Sequence, residues 1–312
     1  MKIKKHRKLK IAVLVTAISL FVFLFVINPI ASAIVYEAIF SSRFEVVSAE
    51  EESISLYEGL SVERNDFYTK DGVRLAGYRY SRPVSEPKGV VVISHGMGCG
   101  GHFSFLPYID VFTSEGYLVF AYDVTGTGYS EGESVEGLPQ GVIDLDHALN
   151  CVNGIDEYDG LPVMLFGHSW GGFSVGNVLN MHPEVSDAVI VSGFNSSEDM
   201  LLSYAQRYVG PVAKLLLAPV KLYENVKFGE EYTDITAVDG MKNTDAQLLI
   251  VHSTDDTTVL YEYGYGTFYG EFSDLERFEF ISYSDMGHTD ILYSENGING
   301  EITEKALEMF AE

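Results

Sequence analysis

Pro162-Val163-Met164-Leu165-Phe166-Gly167-His168-Ser169-Trp170-Gly171-Gly172-Phe173 is the stretch on which the reading of this chain turns. A short apolar run of strand length leads into Gly-x-Ser-x-Gly, and Gly172 to Met181 then reads as a helix. A serine hydroxyl is a poor nucleophile at neutral pH. It becomes useful only on a sharp turn, beside a base and beside amide donors for the oxyanion that forms. The turn demands small residues on both sides, which is what the Gly-x-Ser-x-Gly spacing supplies.

The motif is weak by itself, since about a quarter of a match arises by chance in a chain this rich in glycine. Three matches occur, centred on Ser130 (Gly128 to Gly132), Ser169 (Gly167 to Gly171) and Ser174 (Gly172 to Gly176). Context chooses among them, because the elbow needs a strand immediately before it and a helix immediately after it. Ser169 meets both conditions. Ser174 falls inside the expected helix, and Ser130 sits in a loop well past the strand Tyr117 to Tyr122, so both are assigned structural roles.

Outward from Ser169, short β-branched or aromatic runs alternate with helical stretches, the pattern of an α/β fold with a mostly parallel sheet. Strands are expected at 89–94, 117–122, 162–166, 188–192, 247–252 and 277–281. Residues 62–68 and 73–80 form an opening hairpin whose Asp71-Gly72 supplies the positive φ of a tight turn. Residues 195–242 break the alternation with helical patterning that includes Leu201, Leu202, Leu215, Leu216 and Leu217, and read as a short cap inserted over the site.

Further pieces fit the same frame: His95-Gly96-Met97-Gly98 after a strand, and Asp123-x-x-Gly126-x-Gly128-x-Ser130 after the next. With Gly-His-Ser-Trp-Gly they resemble the α/β-hydrolases over roughly residues 62–310. The nearest branch is the monoacylglycerol-lipase-like and serine-aminopeptidase-like one, particularly bacterial members with an N-terminal membrane segment. The resemblance implies that the amides of Met97 and Trp170 form the oxyanion hole. It also implies that the acid follows the strand after the cap, where Ser253-Thr254-Asp255-Asp256-Thr257-Thr258-Val259 offers Asp256, with Asp255 as rival. Ser253 stands where the family often has glycine. The base is expected in the loop after the last strand, at His288 of Asp285-Met286-Gly287-His288, which completes the chain order Ser, Asp, His.

The expected chemistry is hydrolysis of a carboxylic ester, of a lipid or a small molecule, through an acyl-enzyme, without metal or organic cofactor. Hydrolysis of short peptides is the alternative, and a non-catalytic ligand-binding homologue is the alternative of another class. His95 and His168 are read as structural supports, His6, His147, His182 and His252 as surface or core residues, and His102 is left outside the site. The Trp170 indole is expected in the pocket floor. The run Tyr261, Tyr263, Tyr265, Phe268 and Tyr269 either lines a pocket or packs a helix on the sheet.

The chain has 312 residues and a formal charge of −25. Six Lys or Arg fall in the first ten residues, so the remainder carries −31, a balance that argues against nucleic acid as a partner. Cys99 and Cys151 show no metal-ligand spacing and imply no disulfide framework. The basic head precedes an apolar run from Ile11 to Ile27, and no charge follows until Glu37. Residues 1–44 are therefore expected to form a cytoplasmic tail, a single membrane-spanning helix and a linker, and 45–312 an extracytoplasmic catalytic domain. Cleavage after Ala31-Ser32-Ala33 would instead release a secreted protein.

Overall fold

The computed structural model describes residues 2–294 and 297–311. It opens with α1 (Lys2–Val22), a π-helical turn at Phe23–Ile27, α2 (Asn28–Ile39) and the short α3 (Ser48–Glu52). Then come β1 (Ser61–Arg64), β2 (Phe67–Tyr68), β3 (Arg74–Leu75), β4 (Gly77–Ser81), β5 (Val90–Ser94), α4 (Leu106–Ser114) and β6 (Leu118–Tyr122). The centre of the chain supplies α5 (Leu138–Val152), β7 (Val163–His168), α6 (Trp170–Val178) and β8 (Asp187–Val191). The inserted cap contains α7 (Ser197–Val209), α8 (Ala213–Phe228), α9 (Glu230–Thr233) and α10 (Ala237–Lys242). The chain finishes with β9 (Gln247–Ser253), α11 (Tyr265–Phe272), β10 (Phe278–Tyr283), β11 (Tyr293–Ser294), β12 (Gly297–Ile298) and α12 (Gly300–Phe310).

Eight strands form one sheet in the order β1-β4-β6-β5-β7-β8-β9-β10. The pairs from β6 to β10 are parallel, while β4 runs antiparallel to both of its neighbours, β1 and β6. Side chains alternate across a strand, so each central strand feeds two cores. Val92, Leu165, Ile190 and Ile250 join α5 and α6 on one face, and Ile93, Phe166, Val191 and Val251 join α4 and α12 on the other. Both faces being covered explains why these strands read as continuous apolar runs. It also leaves only the strand ends for chemistry.

The expected hairpin is split into two ladders, β1 on β4 and β2 on β3. A kink at Asn65-Asp66 turns Phe67 into the core, where its ring meets Phe120 and Tyr122. The turn itself forms as read: Gly72 has φ +84°, and its N–H donates to Thr69 O at 2.9 Å.

Residues before 45 also pack on the rest of the chain. Tyr36 and Phe40, at the far end of the apolar helix, are buried in the core, and α2 packs along α8. The Tyr36 hydroxyl donates to Glu224 Oε1 at 2.7 Å, and Ser197 Oγ donates to the same oxygen at 2.6 Å. Glu37 accepts from Lys227 at 2.6 Å, and Arg43 donates to the carbonyls of Gly128, Ser130 and Gly132. Composition could not show this packing, because Tyr36 finds its partners in the cap, far along the chain. Leu201 and Leu217 of the cap pack inward, whereas the side chains of Leu215 and Leu216 lie outside the described residues.

Candidate active site

β7 delivers Ser169 to the C-terminal edge of the sheet at its centre. Ser169 has φ +56°, a conformation a non-glycine residue adopts only under constraint. Here the constraint is packing: a methyl group on Gly171 would lie 1.9 Å from Ser94 O, so the elbow presses directly on the end of β5. β9 delivers Asp256 and β10 delivers His288, so the three side chains converge from the ends of three parallel strands.

Ser169 Oγ lies 2.8 Å from His288 Nε2, and His288 Nδ1 lies 2.7 Å from Asp256 Oδ2. The geometry fits a hydroxyl donating to Nε2 and an Nδ1–H donating to the carboxylate. Asp256 Oδ1 accepts from the amides of Thr258 and Val259 at 2.8 and 2.9 Å. Burial pushes the Asp256 carboxyl up, but hydrogen bonds from His252, His288 and the Thr258 amide, with the charge of His288, outweigh it and hold it well below the usual carboxylate range.

Asp255, the rival acid, does not reach the imidazole. Its Oδ1 accepts from Ser253 Oγ at 2.5 Å and from the Gly287 amide at 2.9 Å, and Ser253 Oγ also accepts from the Met286 amide at 3.2 Å. Ser253 and Asp255 thus tie the acid-bearing loop to the histidine-bearing loop. The serine that departs from the family's glycine was the available sequence signal for this tie.

Ser130 and Ser174, the other motif serines, have different partners. Ser130 Oγ donates to Asp123 O and accepts from the Ala76 amide at 2.8 Å, while Ser174 Oγ donates back to Trp170 O at 2.9 Å. His168 supports the base: its Nε2 lies 2.9 Å from His288 O and donates to it. Burial, with the neighbouring His288, pushes the His168 imidazole down to about 3, so it stays neutral.

The loop after β5 flanks the elbow, and a methyl group built on Gly96 would stand 3.5 Å from Ser169 Cβ. Met97 follows Gly96, and Trp170 opens α6, so both amides belong to segments beside Ser169. The Trp170 indole differs from expectation: it is buried, donates to Leu138 O at 2.8 Å, and packs α6 on α5 instead of flooring a pocket. Tyr261, Tyr265 and Tyr269 stack in series, and the last two meet Phe280 edge-on, so this run packs α11 on the sheet. Cys99 and Cys151 are both free. Among the described residues, no three His, Cys, Asp or Glu side chains are grouped to hold a metal ion.

A mostly parallel sheet, a nucleophile elbow at its centre and a helical cap inserted after β8 define the α/β-hydrolase fold. The chain belongs to the family described as serine aminopeptidase, S33, which matches residues 85–246. That match covers the elbow and the loop after β5 but ends before Asp256 and His288. Rat monoglyceride lipase is 39% identical over 101 residues, 30% of this chain and 31% of that protein. Caffeoylshikimate esterase of Arabidopsis thaliana is 30% identical over 129 residues, 36% of this chain and 38% of that one. The chain thus spans about a third of the length of these curated relatives. Among solved structures, an esterase of Pyrococcus furiosus superposes with a TM-score of 0.66 at 16% identity, covering 87% of this chain and 98% of that one. The acylaminoacyl peptidase of Pyrococcus horikoshii gives 0.59 at 18%, covering 83% and 42%. At these identities the likeness is one of fold.

Proposed function

We propose that the protein is a serine hydrolase that cleaves carboxylic esters, of lipids or small molecules, through an acyl-enzyme intermediate. The observation that carries this reading is the unbroken chain from Ser169 Oγ through His288 to Asp256, at 2.8 and 2.7 Å, on a constrained elbow. Ser169 Oγ attacks the ester carbonyl carbon while His288 Nε2 takes its proton. The amides of Met97 and Trp170 hold the oxyanion, and Asp256 keeps the imidazole in the Nδ1–H tautomer and stabilises its cation. His288 then returns the proton to the departing alcohol, and water, activated by the same base, releases the acid.

The ester reading is supported by the lipase and the esterase among the partial relatives. The helix Lys10–Ile39, whose most apolar 18-residue stretch has a mean hydropathy of 2.7, supports a single-pass anchor whose basic head stays cytoplasmic and whose hydrolase domain faces outward. At about 1.5 Å per residue it is longer than a bilayer core of about 30 Å, which leaves its last turns free to pack on the cap.

The test is fluorophosphonate labelling of the full-length protein in detergent, with the adduct mapped by peptide mass spectrometry. An adduct on Ser169, absent in Ser169→Ala, is expected, together with faster turnover of p-nitrophenyl esters than of aminoacyl anilides. Faster anilide turnover would transfer the assignment to peptide hydrolysis, and a folded protein that takes no label would return it to ligand binding. The intact mass of the same preparation reads whether the chain is cut after Ala33.

A further inference from the structure

The loop that carries Met97 has four glycines in six residues, at 96, 98, 100 and 101, so its own backbone supplies little rigidity. An oxyanion donor has to be held in place before the charge develops, or the stabilisation is spent on reorganisation. Both ends of this loop are fastened to one dipeptide, Asp123-Val124, that follows β6.

At the near end, His95 Nε2 accepts from the Val124 amide at 3.1 Å, and its Nδ1–H donates to Gly96 O at 2.9 Å. At the far end, the backbone N–H and the ring Nδ1–H of His102 both donate to Asp123 Oδ1, at 2.9 and 2.8 Å. The outer nitrogen, Nε2, lies 2.7 Å from the Tyr80 hydroxyl. The imidazole packs against the rings of Tyr78 and Phe103, with centroids 4.1 and 4.2 Å away, and both His102 and Asp123 are 0% exposed. The other carboxylate oxygen of Asp123 accepts from the Tyr129 amide at 2.9 Å. Glycine is required on both sides of this carboxylate: a methyl group on Gly101 or Gly128 would come within 2.4 or 2.3 Å of it.

A buried carboxylate–histidine pair adds little net stability compared with apolar residues of the same volume, and what it does supply is directionality. Here its bonds tie the end of the loop after β5 to the loop after β6 and to Tyr80 of β4. We infer that His102 and Asp123, with Tyr80 behind them, are positioning residues for the oxyanion hole: they hold the glycine-rich loop so that the Met97 amide faces the carbonyl attacked by Ser169. This rests on the serine-hydrolase reading above. It also accounts for Asp123-x-x-Gly-x-Gly-x-Ser, in which Gly128 makes room for the carboxylate, Tyr129 donates to it and Ser130 pins the Asp123 carbonyl.

The experiment compares wild type with His102→Gln, Asp123→Asn and Tyr80→Phe, all full-length in detergent. Active enzyme is counted by fluorophosphonate titration, kcat and KM are measured on a p-nitrophenyl ester, and inhibition by a trifluoromethyl ketone reports a tetrahedral oxyanion bound at the site. Removing an oxyanion donor outright lowers kcat by about 10²–10³-fold, so displacing one is expected to cost about 10- to 100-fold. His102→Gln and Asp123→Asn should show that loss in kcat with KM within twofold, and the ketone should weaken in parallel; Tyr80→Phe should lose less. Variants that melt at lower temperature yet turn over within twofold of wild type per titrated site would overturn the positioning role. If Asp123→Asn does not fold, His102→Gln and Tyr80→Phe decide. A wild-type protein that takes no label would instead overturn the hydrolase reading, and the positioning role with it.

Discussion

Two histidine–aspartate pairs stand at the C-terminal edge of the sheet, made of the same atoms at almost the same separation. Nδ1 lies 2.7 Å from the carboxylate in His288–Asp256 and 2.8 Å in His102–Asp123. They differ in what the second ring nitrogen meets. In the first pair it meets Ser169 Oγ, and the His288 side chain is 15% exposed; in the second it meets the Tyr80 hydroxyl, and nothing of His102 reaches solvent. The first can pass a proton to a reactant that arrives from outside. The second faces a phenol in a closed core and can only hold things still. A histidine–aspartate pair is therefore not a catalytic signature by itself; the group on the outer nitrogen, and its access, decide.

The largest effects should come from the open pair. His288→Ala or Ser169→Ala is expected to lower kcat on a p-nitrophenyl ester by about 10⁴-fold or more, since such groups act as a unit. Residual turnover within tenfold of wild type would break the comparison at its root. Asp256→Asn should cost about 10⁴-fold by allowing the wrong imidazole tautomer, whereas Asp255→Asn, which touches only the loop tie, should cost less than about tenfold. Equal losses in the two variants, measured side by side, would show that the acid was wrongly chosen.

The closed pair predicts a smaller loss, the 10- to 100-fold fall in kcat at constant KM argued above for His102→Gln. A third pair gives the smallest effect. His182 is nearly buried and is paired with Asp146 at 2.9 Å and with Glu184 at 2.8 Å. Burial pushes its imidazole down, but these two carboxylates outweigh burial and raise it above the ordinary histidine value. Its stabilisation is fully present below the unfolded value of about 6.5 and is lost as pH rises through the raised folded value. His182→Gln should therefore cost about 1 kcal/mol at pH 6, less at high pH, and leave kcat within twofold. Denaturant titrations at several pH values would check it, and an unchanged pH dependence would exclude the charged pair.

Much of the fold was legible because its signals are local. The parallel strands reveal themselves as apolar runs of strand length, since both faces of each are covered, and the observed strands fall within a residue or two of those expected. The hairpin was only half legible: Asp71-Gly72 fixes the turn, but the kink that sends Phe67 inward depends on Phe120 and Tyr122 of a later strand. The role of His102 is not legible in the sequence for the same reason. Nothing beside it in the chain indicates that Asp123 and Tyr80 enclose it.

The sequence alone determined the strand–elbow–helix unit around Ser169 and the chain order in which an acid and a base follow it. Such units are set by residues within a few positions of one another, where backbone conformation and side-chain alternation act directly. That Asp256 and not Asp255 faces His288, that Ser130 and Ser174 are tied to backbone carbonyls, and that Tyr36 at the end of the apolar helix packs on the cap became visible only in the folded chain. Each depends on which distant groups share a buried space, and burial and hydrogen-bond partnership exist only once the strands have been brought side by side.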